Sequence, residues 1–160
     1  MLRMRSWLEN REPFIVTYGD GLADIDINAL LEFHKSHGKI ATISAVHPLS
    51  RFGSIQLSGD KVSNFVEKPN IVDEWINGGF MVFNHEVFQY LDQDSDVLEV
   101  KVLQGLAEDG ELMAYRHHGF WQCMDSLKDK KYLEKLCESG EAPWKNWGSE
   151  QSTVAFRRTA

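Results

Sequence analysis

Phe14-Ile15-Val16-Thr17-Tyr18-Gly19-Asp20-Gly21 reads as a short buried strand that ends abruptly on a carboxylate set between two glycines. Its first five residues are β-branched or aromatic and favour a pleated conformation. Gly19 and Gly21 then let the backbone turn tightly, so that Asp20 points off the strand's carboxyl end. In open α/β sheets that end is where ligands bind. Two plainer roles stay open for Asp20: capping a helix that starts nearby, or occupying an ordinary Asp-Gly turn.

The 160 residues around this stretch suffice for one domain with a real core and are too few for two comfortable ones. Seventeen Lys and Arg against 24 Asp and Glu give a formal charge of −7. That balance argues against nucleic acid or an anionic membrane surface as a partner, while an anionic small ligand needs only a local nest of donors. No run approaches the roughly 20 apolar residues of a membrane span, and residues 1–7 lack the continuous apolar core of a secretory signal. The expected location is the cytoplasm. Cys123 and Cys137 are too few and too far apart for a CxxC site or a disulfide framework, which points to reduced thiols.

Outward from the opening stretch, residues 2–10 have helix-like spacing, and Pro13 stops that element before the strand. Beyond the turn, Asp24 or Asp26 can cap a helix that carries Leu30, Leu31, Phe33 and His37 and stops at Gly38. His34 and His37 lie three apart on it; they either share a metal or decorate a solvated face, and no third ligand is near in sequence. The run Ile40-Ala41-Thr42-Ile43-Ser44-Ala45-Val46 completes a strand–helix–strand order, as in a parallel βαβ unit. Residues 54–57 and 61–66, joined at Ser58-Gly59-Asp60, form a hairpin. Glu67-Lys68-Pro69 ends it, either as a surface ion pair or as part of a site. Asn77-Gly78-Gly79 allows close backbone approach to a ligand, or a plain bend, before the strand Phe80-Met81-Val82-Phe83. Helices over 85–91 and 97–108, a strand over 111–115 and a helix over 126–138 follow. Gly119-Phe120-Trp121-Gln122-Cys123-Met124-Asp125 is an aromatic patch ending in a second carboxylate, and His117-His118 decorates a strand end. Residues 148–160 are polar and aperiodic, as in a disordered tail.

Taken in order, Thr17-Tyr18-Gly19-Asp20-Gly21, Arg51-Phe52-Gly53, Phe65-Val66-Glu67-Lys68-Pro69, Ile76-Asn77-Gly78-Gly79-Phe80, Gly110-Glu111-Leu112-Met113-Ala114-Tyr115 and Gly119-Phe120-Trp121-Gln122-Cys123-Met124-Asp125 resemble the glucose-1-phosphate cytidylyltransferases, within the sugar-phosphate nucleotidyltransferase family. The resemblance spans residues 2–147. It implies an α/β fold with a Rossmann-like mixed sheet, and a reaction in which CTP and glucose 1-phosphate give CDP-glucose and pyrophosphate. CDP-glucose in this family feeds the deoxysugars of surface polysaccharide such as lipopolysaccharide O-antigen. By the same resemblance Asp20 and Asp125 bind one Mg²⁺, and Lys68 holds the sugar phosphate. Glu67 accepts hydrogen bonds from the glucose hydroxyls, while backbone at Gly53 and Asn77-Gly78 completes the sugar cradle. Such a cation suits hard oxygen ligands and takes only one or two protein carboxylates beside phosphate oxygens.

The departures are as informative. The family's G-G-x-G-T-R-L phosphate loop and the lysine after it occur nowhere in these residues. Residues 1–147 therefore read as the C-terminal portion of such a domain without its nucleotide-binding part. Lys101-Val102 stands where Glu-Pro is usual, and Cys123 where proline is usual. In the family's sheet the strand at 14–18 is central, so a missing neighbour leaves an open edge, and association of copies through it is expected. Two functions follow: the sugar and metal part of a transferase that is inactive alone, or a non-catalytic sugar-phosphate-binding remnant.

Overall fold

The computed structural model describes residues 1–8, 13–48, 52–67 and 74–145. The expected ion pair Glu67-Lys68 is thus half outside the described residues, as are Arg51 and the tail at 148–160. A 3-10 turn (Leu2–Met4) and a short helix α1 (Arg5–Leu8) open the chain. Strand β1 (Phe14–Thr17) follows, then β2 (Gly21–Ala23), helix α2 (Ile27–His37) and β3 (Ala41–Val46). The hairpin is β4 (Ser54–Ser58) with β5 (Lys61–Val66), turning on Gly59 at φ 60°. Next come β6 (Ile76–Phe83), a 3-10 helix (His85–Tyr90), a π-helical turn (Leu98–Leu103) running into α3 (Gln104–Glu108), β7 (Leu112–Arg116), β8 (Trp121–Cys123) and α4 (Leu127–Ser139).

The main sheet is mixed, in the order β1-β6-β3-β7. β3 and β7 are parallel, and β6 runs antiparallel to both β1 and β3. β1, α2 and β3 keep the expected parallel strand–helix–strand order, with β6 inserted between the two strands. β1 is an edge among the described strands, paired on one side only, as the open edge expected at 14–18 requires.

Alternation along β6 builds two cores. Met81 and Phe83 pack on one face with Val87, Phe88, Leu91, Val102, Leu103 and Leu106, from the helical turns after β6. Val82 packs on the other face with Leu30 and Ile25, beneath α2. Helices on both faces of a mixed sheet make a three-layer α/β unit. The caps hold where local signals specify them. The Asp26 carboxylate accepts from the amides of Asn28 and Ala29, and Gly38 closes α2 in the left-handed region at φ 66°. α4 starts on a capping box between Ser126 and Asp129.

His34 corrects the solvated-face reading, since it is 1% exposed. It belongs to a closed ring of hydrogen bonds. The Lys39 amide donates to His37 Nδ1 (3.0 Å), His37 Nε2 meets Thr42 Oγ1 (2.7 Å), Thr42 Oγ1 meets His34 Nδ1 (2.9 Å), His34 Nε2 meets Asn84 Oδ1 (3.1 Å), and Asn84 Nδ2 donates to the Lys39 carbonyl (3.0 Å). Because His37 Nδ1 accepts from a backbone amide, its proton sits on Nε2. The Thr42 hydroxyl then donates to His34, whose Nε2–H serves Asn84. Every donor is matched only while His37 is neutral. Burial lowers the His37 pKa below 6.5, helped by His34 and Lys39 and opposed by Glu111.

The neutral form is thus favoured in the folded state, and the unfolded chain binds a proton first as pH falls. The ring's stabilisation should be complete above about pH 6.5 and be lost as pH drops through the folded value of His37. Thermal unfolding measured between pH 8 and pH 5 should show this fall, and His37→Gln should flatten it. An unchanged slope in the variant would contradict the role given to this ring.

Candidate active site

Asp20 does not cap α2; Asp26 does. Asp20 sits in the turn between β1 and β2, and β2 pairs antiparallel with β8 in the register Gly21↔Cys123, Leu22↔Gln122, Ala23↔Trp121. The Met124 amide extends this ladder by donating to the Asp20 carbonyl at 2.8 Å. Asp20 therefore faces Met124, and Asp125 is the next residue, so both carboxylates leave the same end of one two-stranded ribbon. Both residues are exposed. Asp125 Oδ2 also accepts from Cys123 Sγ at 3.3 Å.

Asn77-Gly78-Gly79 lies inside β6 rather than before it, which corrects the expected strand start. The glycines are needed for close packing, not for a bend. A Cβ on Gly78 would come within 2.7 Å of Ser44 Oγ, and one on Gly79 within 2.6 Å of the Tyr18 ring. Gly79 also has φ +79°, where side chains are strained. Its carbonyl accepts from the Tyr18 amide (3.1 Å) and its amide donates to Asn77 Oδ1 (2.8 Å). Asn77 Nδ2 donates to the Tyr18 hydroxyl oxygen (3.2 Å), and that hydroxyl donates to Glu99. Burial, with the Glu99 contact second, pushes the Tyr18 pKa up to about 12, and Asp20 is near enough to add to the rise. Trp121 ties this strand to the ribbon, its indole N–H donating to the Gly78 carbonyl at 2.8 Å.

A second tie holds the ribbon's far end. His117 Nε2 is 3.1 Å from the Phe120 carbonyl and approaches Asp24 Oδ1 at 2.9 Å, outside hydrogen-bond alignment. Gly119 makes room, since a Cβ there would fall 2.3 Å from Asp24 Oδ1. Beside Trp121, at the carboxyl ends of β3 and β7, lies a cavity of about 260 Å³ lined by Val46, His47, His117 and Tyr132 among others. The structure thus brings Asp20, Asp125, Asn77 and Gly78 into one neighbourhood.

Gly53 and Glu67 form a separate pair. A Cβ on Gly53 would lie 3.0 Å from Glu67 Oε2 and 2.8 Å from the Phe65 ring, so the two face each other at the base of the hairpin. Among the described residues no hydrogen bond joins this pair to Asn77 or Gly78. Lys68 lies outside the described residues. Tyr18 and Trp121 stand within the family-like motifs without an assigned role; Asp24, a cap candidate by sequence, instead approaches His117 at the ribbon, and Glu99 had no sequence signal.

The donor set can be tested against a cation. Among the described residues no group of three or more His, Cys, Asp or Glu side chains converges as a metal site. Two exposed carboxylates at one ribbon end do not form a closed protein cage. They fit a hard cation that fills its remaining positions with water and phosphate oxygens.

The family model described as nucleotidyl transferase matches residues 2–149. Among curated relatives, glucose-1-phosphate cytidylyltransferase of Salmonella typhi is 49% identical over 145 residues, covering 91% of this chain and 56% of that protein. Mannose-1-phosphate guanylyltransferase catalytic subunit beta of Danio rerio is 32% identical over 134 residues, covering 81% and 37%. The crystal structure of HddC from Yersinia pseudotuberculosis aligns over 87% of this chain and 60% of its own, with a TM-score of 0.59 at 22% identity, which speaks to the fold alone. The chain spans about half the length of the cytidylyltransferases it matches. No helix among the described residues is long and apolar enough to cross a membrane.

Gly79→Ala combines a positive φ with a clash against Tyr18, and each effect costs on the order of 1–3 kcal/mol. Chemical denaturation should show a loss of at least about 2 kcal/mol, whereas Gly19→Ala, with nothing within 4 Å of the added Cβ, should lose far less. Equal losses would contradict the packing described here.

Proposed function

The chain belongs to the nucleotidyl transferase family, and from that premise we propose that it carries the sugar-phosphate and metal side of nucleotidyl transfer from CTP to glucose 1-phosphate. The observation that carries this reading is the β2–β8 ladder, which sets Asp20 and Asp125 at one ribbon end and, through Trp121, beside Asn77-Gly78. The 49% identity to a cytidylyltransferase supports the choice of CTP and glucose 1-phosphate over other pairs.

In this reaction an oxygen of the sugar phosphate attacks the α-phosphorus, a P–O bond forms, and the bond to pyrophosphate breaks with its electrons leaving on pyrophosphate. The nucleophile is already anionic, so no general base is required, and the protein's work is positioning and charge compensation. Asp20 and Asp125 would hold Mg²⁺, which when bound neutralises phosphate charge. Lys68 holds the sugar phosphate, Glu67 with Gly53 grips glucose hydroxyls, and the backbone at Asn77-Gly78 completes the cradle. The hairpin bearing Gly53 and Glu67, exposed along both strands, must lie over Asn77-Gly78 for this. Turnover also needs a phosphate-cradling loop, absent from these 160 residues, to hold CTP.

Calorimetric titration of the chain with glucose 1-phosphate tests the reading. Lys68→Ala deletes a charged contact worth roughly 1.5–3 kcal/mol, so affinity should fall about 10- to 100-fold. Glucose, which has no phosphate, should bind both forms alike. Unchanged glucose 1-phosphate affinity in the variant would remove Lys68 from the sugar-phosphate site.

A further inference from the structure

Glu99 stands on the π-helical turn Leu98–Leu103, a rare geometry often found at functional positions. Buried Val102 and Leu103 anchor that turn in the core with Leu106 of α3. Lys101, on the same turn, is engaged elsewhere, with its Nζ 3.2 Å from Asp92. The Glu99 carboxylate meets the Tyr18 hydroxyl. From there the chain of hydrogen bonds has one consistent direction. An ionised carboxylate can only accept, so Tyr18 donates to it, and the Tyr18 oxygen is left to accept from Asn77 Nδ2 at 3.2 Å. That fixes the Asn77 amide with Oδ1 toward the buried Gly79 N–H at 2.8 Å.

Without the carboxylate, the Tyr18 hydroxyl is free to donate to Asn77 instead. The flipped amide, offering its oxygen to Tyr18 at the cost of the Gly79 N–H acceptor, then competes with the present orientation. We propose that Glu99 is a positioning residue that, through Tyr18, selects one of the two amide orientations of Asn77 and so holds the Asn77-Gly78 segment in its ligand-ready form. The orientation is a matter of this chain's own hydrogen bonds. Its consequence for sugar-phosphate binding rests on the function proposed above.

Two readouts on the 160-residue chain keep those layers apart. In ¹H–¹⁵N spectra without ligand, Glu99→Ala and Tyr18→Phe should both shift the Asn77 side-chain NH₂ pair and the Gly79 amide. Glu99→Gln, whose amide oxygen can still accept from Tyr18, should leave both near wild type. In calorimetry, Glu99→Ala and Tyr18→Phe should each weaken glucose 1-phosphate binding about 5- to 10-fold, and the double variant should be no weaker than either single one. Wild-type signals for Asn77 and Gly79 in Glu99→Ala overturn the proposal, and so do additive losses in the double variant. If the signals move as expected while Glu99→Ala and Tyr18→Phe leave glucose 1-phosphate affinity unchanged, the positioning role stands and the sugar assignment of the Asn77-Gly78 segment falls.

Discussion

The ladder between β2 and β8 is the constraint on which the rest of the site depends. Its three residue pairs, extended by the Met124 amide on the Asp20 carbonyl, join parts of the chain a hundred residues apart. Each bond in so short a ribbon contributes only about 1 kcal/mol net, and a two-stranded ribbon is marginal in isolation. It holds because it is tied to the sheet at two points. The Trp121 indole reaches the Gly78 carbonyl on β6, and next to it Asp24 with His117 and Phe120 fastens the ribbon to the exit from β7. Two exposed aspartates thus gain a fixed relation without being buried. That suits a cation which must exchange with its substrates.

Elements marked by local chemistry were legible in the sequence. β1 announced itself by β-branched and aromatic residues, α2 by Asp26 and Gly38, the hairpin by Gly59, and α4 by its helix-like run over 126–138. Strand order was not legible. Nothing in residues 76–83 says that they insert between β1 and β3, since that choice is made by the two cores that Met81, Phe83 and Val82 fill on opposite faces. β2 and β8 are three residues each, too short for period-two alternation to be read.

For the site, the resemblance named residues by type and order and gave no place to side chains that meet them only across the fold. Asp20, Asp125, Asn77 and Gly78 were named, and the structure gathers them. Glu99 lies 81 residues from Tyr18 in the chain, so the contact between them could be found only in three dimensions. His34 looked like a surface histidine because polar residues usually face water. It is buried because the Thr42–Asn84 ring satisfies both of its ring nitrogens.

The most direct test of the central claim, that Asp20 and Asp125 form one cation site at the end of the β2–β8 ribbon, is paramagnetic broadening of the chain's ¹H–¹⁵N spectrum by Mn²⁺ alone. At low Mn²⁺ the amides of residues 19–22 and 122–126 should broaden first, and Asp20→Asn and Asp125→Asn should each abolish the effect at both segments together. Broadening of one segment without the other, or a pattern unchanged in either variant, would contradict the claim.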